Sequence, residues 1–261
     1  MRTIDIGIDK IDKIYHIADV HVRNVKRHKE YQLVFKRLYS YIKKTKTDNS
    51  VIYVAGDIVH AKTDMSPELV AVVSDFFKQL ADLAPTLIIT GNHDCNLNNS
   101  YRLDALSPIV KALNHQRLHY LKDNGIYLIS GVHFNVLSVF DKPVDYIKAD
   151  DFDGDYKIAL HHGSVHNAST DAGFTLSNTH VTTEMFKGHD LSLLGDIHKP
   201  QFLDEEKTMA YAGSLIQQNH GEGLTHGIMV WDLETKKSEF VEIVNDYGYY
   251  TFHIDEGKIT N

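Results

Sequence analysis

The chain is 261 residues long with 43% hydrophobic side chains, enough for one substantial α/β core and too ordered in composition for an extended disordered tail. A formal charge of −8 argues against a broadly basic surface for nucleic acid, although local basic patches can still bind phosphates. A single cysteine, Cys95, excludes an internal disulfide and a cysteine-built zinc cage, so any metal must be held by Asp, Asn and the 17 histidines.

The N-terminus "MRTIDIGIDKIDK" is charged where a signal peptide needs an apolar centre, and no apolar run reaches membrane-spanning length. A soluble, cytoplasmic protein with no membrane partner is therefore expected. "KIYHIAD" (13–19) is the first of five β-rich apolar runs that end in Asp, Asn or His. "QLVFKRLYSYIKK" then sets Val34, Leu38, Tyr41 and Ile42 on one helical face. "VIYVAGD" (51–57) is the second such run, and His60 follows three residues after its Asp57. Ser66-Pro67 forms a cap and first-turn pair for a helix carrying Leu69, Val72, Val73, Phe76 and Leu80. "TLIITGNHD" (86–94) is the third run, and a shorter helical pattern covers 103–113. "KPVDYIKADDFDGD" (142–155) reads as an acidic surface excursion. "KIALHHG" (157–163) and "LSLLGDIH" (191–198) complete the set.

Strand alternating with helix predicts parallel βαβ units whose carboxyl ends form one ligand-binding rim. From about residue 208 the runs "TMAYAGSLI", "HGIMVWDL", "SEFVEIV" and "YYTFHI" lack long intervening helices, which predicts a second sheet completing a sandwich. Trp231, in an alternating run, is expected in the core. The domain is expected to span 1–245, with 246–261 beginning a capping segment.

The five strand ends supply oxygen and nitrogen donors suited to manganese, iron or zinc rather than calcium. They are Asp19 and His21, Asp57, Asn92 and His93, a His of 161–162, and Asp196 with His198. A carboxylate on a central strand, Asp57, is the natural bridge between two ions about 3.5–4 Å apart. Each piece is common alone, since Gly-Asp often marks a turn and Asn92 could cap one. Five in this order carry more than any one of them.

"ADVH", "GDIVH", "GNHD", "LHHG" and "GDIH" resemble the five motifs of the calcineurin-like metallophosphoesterases over most of 13–200. His60, "RLDALSPIV", "GSLIQQNHGE" and "HGIMVWDL" resemble more narrowly the SbcD and Mre-type nucleases of double-strand-break repair, with phage-type recombination endonuclease subunits the nearest match. The resemblance implies a four-layer α-β-β-α sandwich and two divalent ions, manganese first, with magnesium, iron or zinc as alternatives. It implies Asp19, His21, Asp57 and His198 on one ion, and Asp57, Asn92, His162 and Asp196 on the other, with His161 as the fallback for His162. His93 would stabilise the transition state or protonate the leaving oxygen, Asp94 would orient the His93 ring, and His60 would help place the DNA strand. Asp196 departs from the usual G-H-x-H, and a carboxylate there still suits a hard dication.

The activity implied is in-line hydrolysis of DNA phosphodiesters near ends, as exonuclease or endonuclease in recombination and repair. Two other readings stand beside it: a small-molecule phosphodiesterase, or a DNA-end scaffold with a degenerate metal site. Partners implied are DNA, an SMC-like ATPase of the SbcC type and a second copy of the chain, in the cytoplasm of a host if the source is a phage. "RNVKRHK" (23–29) offers Arg23, Lys26, Arg27 and Lys29 as candidate DNA-binding residues, with a solvated helix start the equally weighted alternative. Gln217 and Gln218 could touch phosphate or brace the metal ligands.

Overall fold

The apolar runs pair into two sheets. The computed structural model describes residues 1–99 and 101–260. Its first half runs β1 (Arg2–Thr3), β2 (Lys13–Ile17), α1 (His28–Thr45), β3 (Ser50–Ala55), α2 (Pro67–Leu83), β4 (Thr86–Ile89), α3 (Leu106–Leu113), β5 (Leu118–Tyr120), β6 (Gly125–Ile129) and β7 (Val132–Leu137). It continues as β8 (Lys157–His162), β9 (Leu191–Gly195), β10 (Gln201–Phe202), β11 (Met209–Tyr211), β12 (Gly227–Asp232), β13 (Lys237–Glu242) and a final hairpin, β14 (Ile254–Asp255) with β15 (Lys258–Ile259).

One sheet has the order β13-β12-β2-β3-β4-β5 and the other β1-β6-β7-β8-β9-β11-β10. Neighbours β2, β3, β4 and β5 are parallel, with Ile17 opposite Val54 and Ala55 opposite Ile89. β8 and β9 are parallel in the second sheet, with His162 opposite Gly195. The five motif strands are thus divided three and two between facing sheets rather than joined in one. The second sheet is also not built from the residues after 208. Of those strands, β10's partner β11 joins it, whereas β12 returns antiparallel to β2 in the first sheet. Its bulk comes instead from β6 to β9. The β6–β7 hairpin turns at Ser130 (φ 48°) and Gly131 (φ 79°), two consecutive positive φ angles of the kind that match the twist of a tight hairpin.

Period-two alternation decides which residues fill which layer. Ile52 and Val54 of β3 face Val34, Leu38, Val73, Phe76 and Leu80 of α1 and α2. Val51, Tyr53 and Ala55 face the opposite sheet, among Phe134, Ile158, Leu193 and Trp231. Trp231 is 1% exposed, a core residue as its alternating run predicts. Ser66 caps α2, its Oγ accepting the Leu69 N–H at 3.2 Å, with Pro67 in the first turn. The helices cover the outer face of the first sheet. On the outer face of the second, the fourth layer is made of loops and short 3₁₀ turns, among them Thr183–Phe186, packing Val165, Ala168 and Phe186 on Leu137, Ala159 and Leu194. Among the described residues no helix is long and apolar enough to cross a membrane.

Candidate metal centre

Because the sheets face each other with β3 and β4 against β8 and β9, all five strand ends meet at one rim. Asp57, directly after β3, stands at the middle. Its Oδ2 lies 3.5 Å from His21 Nε2 and 4.0 Å from His93 Nε2, and its Oδ1 lies 3.3 Å from His162 Nε2. On one side of it, His21 Nε2 and His198 Nε2 are 3.0 Å apart. On the other, His162 Nε2 is 2.9 Å from Asn92 Oδ1 and 3.9 Å from Asp196 Oδ1. Asp19 joins both sides, grouping with His21 and His198 and also with Asp57 and His162.

The backbone is bent to achieve this. Asp19, His21, Asp57 and Asp196 all have positive φ (49°, 48°, 51° and 102°), a region that costs non-glycine residues energy and that recurs at functional sites. Two glycines make the close approach possible. A Cβ on Gly91 would stand 2.1 Å from Asp57 Oδ1, and one on Gly195 would stand 2.3 Å from the Ala55 carbonyl oxygen and 2.8 Å from His162 Nδ1.

The donor set suits divalent cations. Three carboxylates and five imidazoles are gathered with too few mutual hydrogen bonds to satisfy them: His21 Nδ1 and His60 Nδ1 are buried with no partner among the described residues, and two imidazole Nε2 atoms face each other. Burial opposes the Asp57 charge, but His162, His21 and His93 outweigh it and hold the carboxyl below the usual carboxylate range. Asp19 is pushed up to about 7, by burial first, against the pull of His162 and His198, with Asp57 and Asp196 adding to the rise. A cation between such groups relieves both the desolvation and the repulsion.

The geometry separates the two candidates of the fourth motif. His162 turns to Asp57, with its Nδ1 held 2.6 Å from the Ala55 carbonyl. His161 points to the other face of β8, its ring beside Tyr146 and Phe186 and its Nδ1 3.0 Å from the Leu137 carbonyl. His60 stacks on His93 with ring centres 5.7 Å apart and stands edge-on to His21.

Asp94 does not orient the His93 ring. Its Oδ1 accepts the N–H groups of Ile58 (2.9 Å) and Val59 (3.0 Å) and its Oδ2 that of Gly91 (3.0 Å), so it staples the loop after β3 to the loop after β4. The His93 ring is held instead by its Nδ1 on the His60 carbonyl, 2.6 Å away. Cys95, next to Asp94, is buried, and burial pushes its thiol up to about 12, which leaves no thiolate at neutral pH.

The basic run is divided. Arg27 is a structural clamp rather than a free phosphate ligand: Nε pairs with Glu30 at 2.7 Å, and Nη2 donates both to Glu30 at 2.8 Å and to the Gln217 carbonyl at 2.7 Å. Arg23 donates to the Gln218 carbonyl at 3.2 Å. Lys26 and Lys29 are exposed. Gln217 and Gln218 are buried braces. Three residues escaped the sequence reading. Glu222 accepts from His198 Nδ1 at 2.7 Å, Ser164 Oγ donates to Asp196 Oδ2 at 2.5 Å, and Lys62 Nζ donates to the Asn92 carbonyl at 3.1 Å. The Glu of "NHGE" is the one signal that could have flagged the first.

Comparison with known proteins agrees with this geometry. A family model described as calcineurin-like phosphoesterase matches residues 12–200. The chain is also 47% identical over 272 residues to uncharacterized protein R555 of Acanthamoeba polyphaga mimivirus, covering 99% of this chain and 20% of that relative. It therefore spans one fifth of the length of the relative it matches.

Proposed function

Because the chain belongs to the calcineurin-like phosphoesterase family, whose members are metal-dependent hydrolases, we propose that it is a two-metal phosphodiesterase acting on DNA near its ends. The observation that carries the metal part is the placing of Asp57 between His21 and His198 on one side and His162, Asn92 and Asp196 on the other. Asp19, His21, Asp57 and His198 would hold one ion, and Asp57, Asn92, His162 and Asp196 the second, with Ser164 fixing the free oxygen of Asp196. Bound there, the pair would neutralise charge on a phosphoryl group and activate water at neutral pH.

The protein's own groups supply the rest. With Nδ1 committed to the His60 carbonyl, His93 keeps Nε2 at the mouth, its side chain 40% exposed, placed to stabilise a phosphate or deliver a proton to a departing sugar oxygen. His60, stacked against it, restricts the ring's rotation and borders the path of a strand. For DNA as substrate the support is the likeness of "GSLIQQNHGE" and His60 to the double-strand-break nucleases, together with Lys62 at the Asn92 backbone and the exposed Lys26 and Lys29 that follow the first motif in sequence, all able to make sequence-independent phosphate contacts. On this reading an SMC-like ATPase of the SbcC type would present the DNA ends.

The test is nucleotide release from an end-labelled linear duplex with manganese, magnesium or chelator, for the protein and its His93→Ala variant. Manganese-dependent release that disappears in the variant is expected. Turnover of bis-p-nitrophenyl phosphate with the duplex left intact would replace DNA by a small diester, and bound metal with neither activity would favour a DNA-end scaffold.

A further inference from the structure

His198 is gripped from behind. Its Nδ1 stands 2.7 Å from Glu222 Oε1, and because a carboxylate only accepts, the ring presents a proton there and directs Nε2 toward His21 and Asp19. The Glu222 side chain is 6% exposed and takes two more donors, Asn219 Nδ2 at 2.7 Å and the Gln218 N–H at 2.6 Å. Three donors on a nearly buried carboxylate hold it against the His198 ring.

The turn that carries Glu222 is itself tied down by a distant part of the chain. Gln217 Nε2 donates to the Glu222 carbonyl at 2.9 Å, while Gln217 Oε1 accepts the Tyr249 N–H at 2.6 Å. Arg27 donates to the Gln217 carbonyl at 2.7 Å and lies 5.1 Å from the centre of the Tyr249 ring. Glu30, which pairs with Arg27, also accepts Asn245 Nδ2 at 2.8 Å. Residues 245–249 thus form a strap across the Glu222 turn, and from Tyr250 to Thr260 every residue is exposed.

We propose that Glu222 is a positioning residue that fixes His198 as an Nε2 donor, and that the strap of residues 245–249 holds Glu222 there, so that affinity for one of the two ions depends on the strap being docked. This rests on the reading of the rim as a metal centre. Any force on the exposed segment beyond the strap would then be felt at His198, through Tyr249, Gln217 and Glu222.

The experiment is calorimetric titration of the metal-free full chain with manganese, beside ¹⁵N spectra of its histidine rings and melting in chelator. Glu222→Gln should weaken one of two sites by roughly 10–100-fold, the usual cost of losing a carboxylate behind a histidine ligand, and leave the other unchanged. In the metal-free spectrum the His198 Nδ1–H signal should shift from its carboxylate-bonded position. Tyr249→Pro, which removes the strap N–H, should weaken the same site several-fold without altering the fold. Wild-type affinity in a folded Glu222→Gln variant, or a lowered melting point with both affinities unmoved, would overturn the positioning role. Weakening in Glu222→Gln but not in Tyr249→Pro would overturn the strap. No manganese bound by the wild-type chain would instead remove the metal reading, and the inference with it.

Discussion

Acid should loosen the space between the two sheets through one ring. His16 is fully buried there, with ring centres 5.1 Å from Tyr53 and 6.5 Å from Trp231. Burial, opposed only by the Leu194 carbonyl, brings its pKa down to about 3. In the unfolded chain the same group titrates near 6.5, so between these values the unfolded state binds a proton that the folded state refuses. Stability is therefore full above about pH 6.5 and falls as pH drops toward about 3, by roughly 1.4 kcal/mol per unit. From pH 7 to pH 5 this single ring should remove about 2 kcal/mol. Urea unfolding at both pH values in chelator, comparing the protein with His16→Leu, isolates the effect, because the carboxylates at the rim are common to both. The variant should lose about 2 kcal/mol less over that range. Equal losses would refute the assignment of a neutral, buried His16.

Two further outcomes probe the rim. Gly91→Ala should leave the far-ultraviolet spectrum native yet reduce bound manganese below two ions per chain, because the new Cβ would stand 2.1 Å from Asp57 Oδ1 and 2.2 Å from its backbone nitrogen; retention of both ions would contradict the geometry at Asp57. His162→Ala should cost an ion by the same count, whereas His161→Ala should keep full stoichiometry while losing roughly 2–4 kcal/mol of stability from its packing against Tyr146 and Phe186. The reverse pattern would exchange the roles of the two histidines.

What was legible in the amino-acid order is local. Apolar runs that stop at Asp, Asn or His are readable because a strand buried on both faces needs continuous β-branched and aromatic side chains, and the interruption marks its carboxyl end. Asp19, Asp57, Asn92 and Asp196 sit just past such ends, and the helix cap at Ser66 follows from a two-residue signal.

The tertiary structure alone decided what depends on pairing between distant segments. An apolar run carries no mark of which neighbour it will choose, so the division of the five motif strands between two sheets, and the return of β12 to β2, arise from long-range registry. Which of two adjacent histidines enters the site was set by the pleat of β8, which sends His161 and His162 to opposite faces. The supporting residues were hidden for the same reason. Asp94 binds backbone from the loop after β3, Arg27 closes on Gln217, and Glu222 reaches His198 across 24 residues. Ligand type is written into the chain, but the aim of each ligand belongs to contacts that exist only once the two sheets are packed.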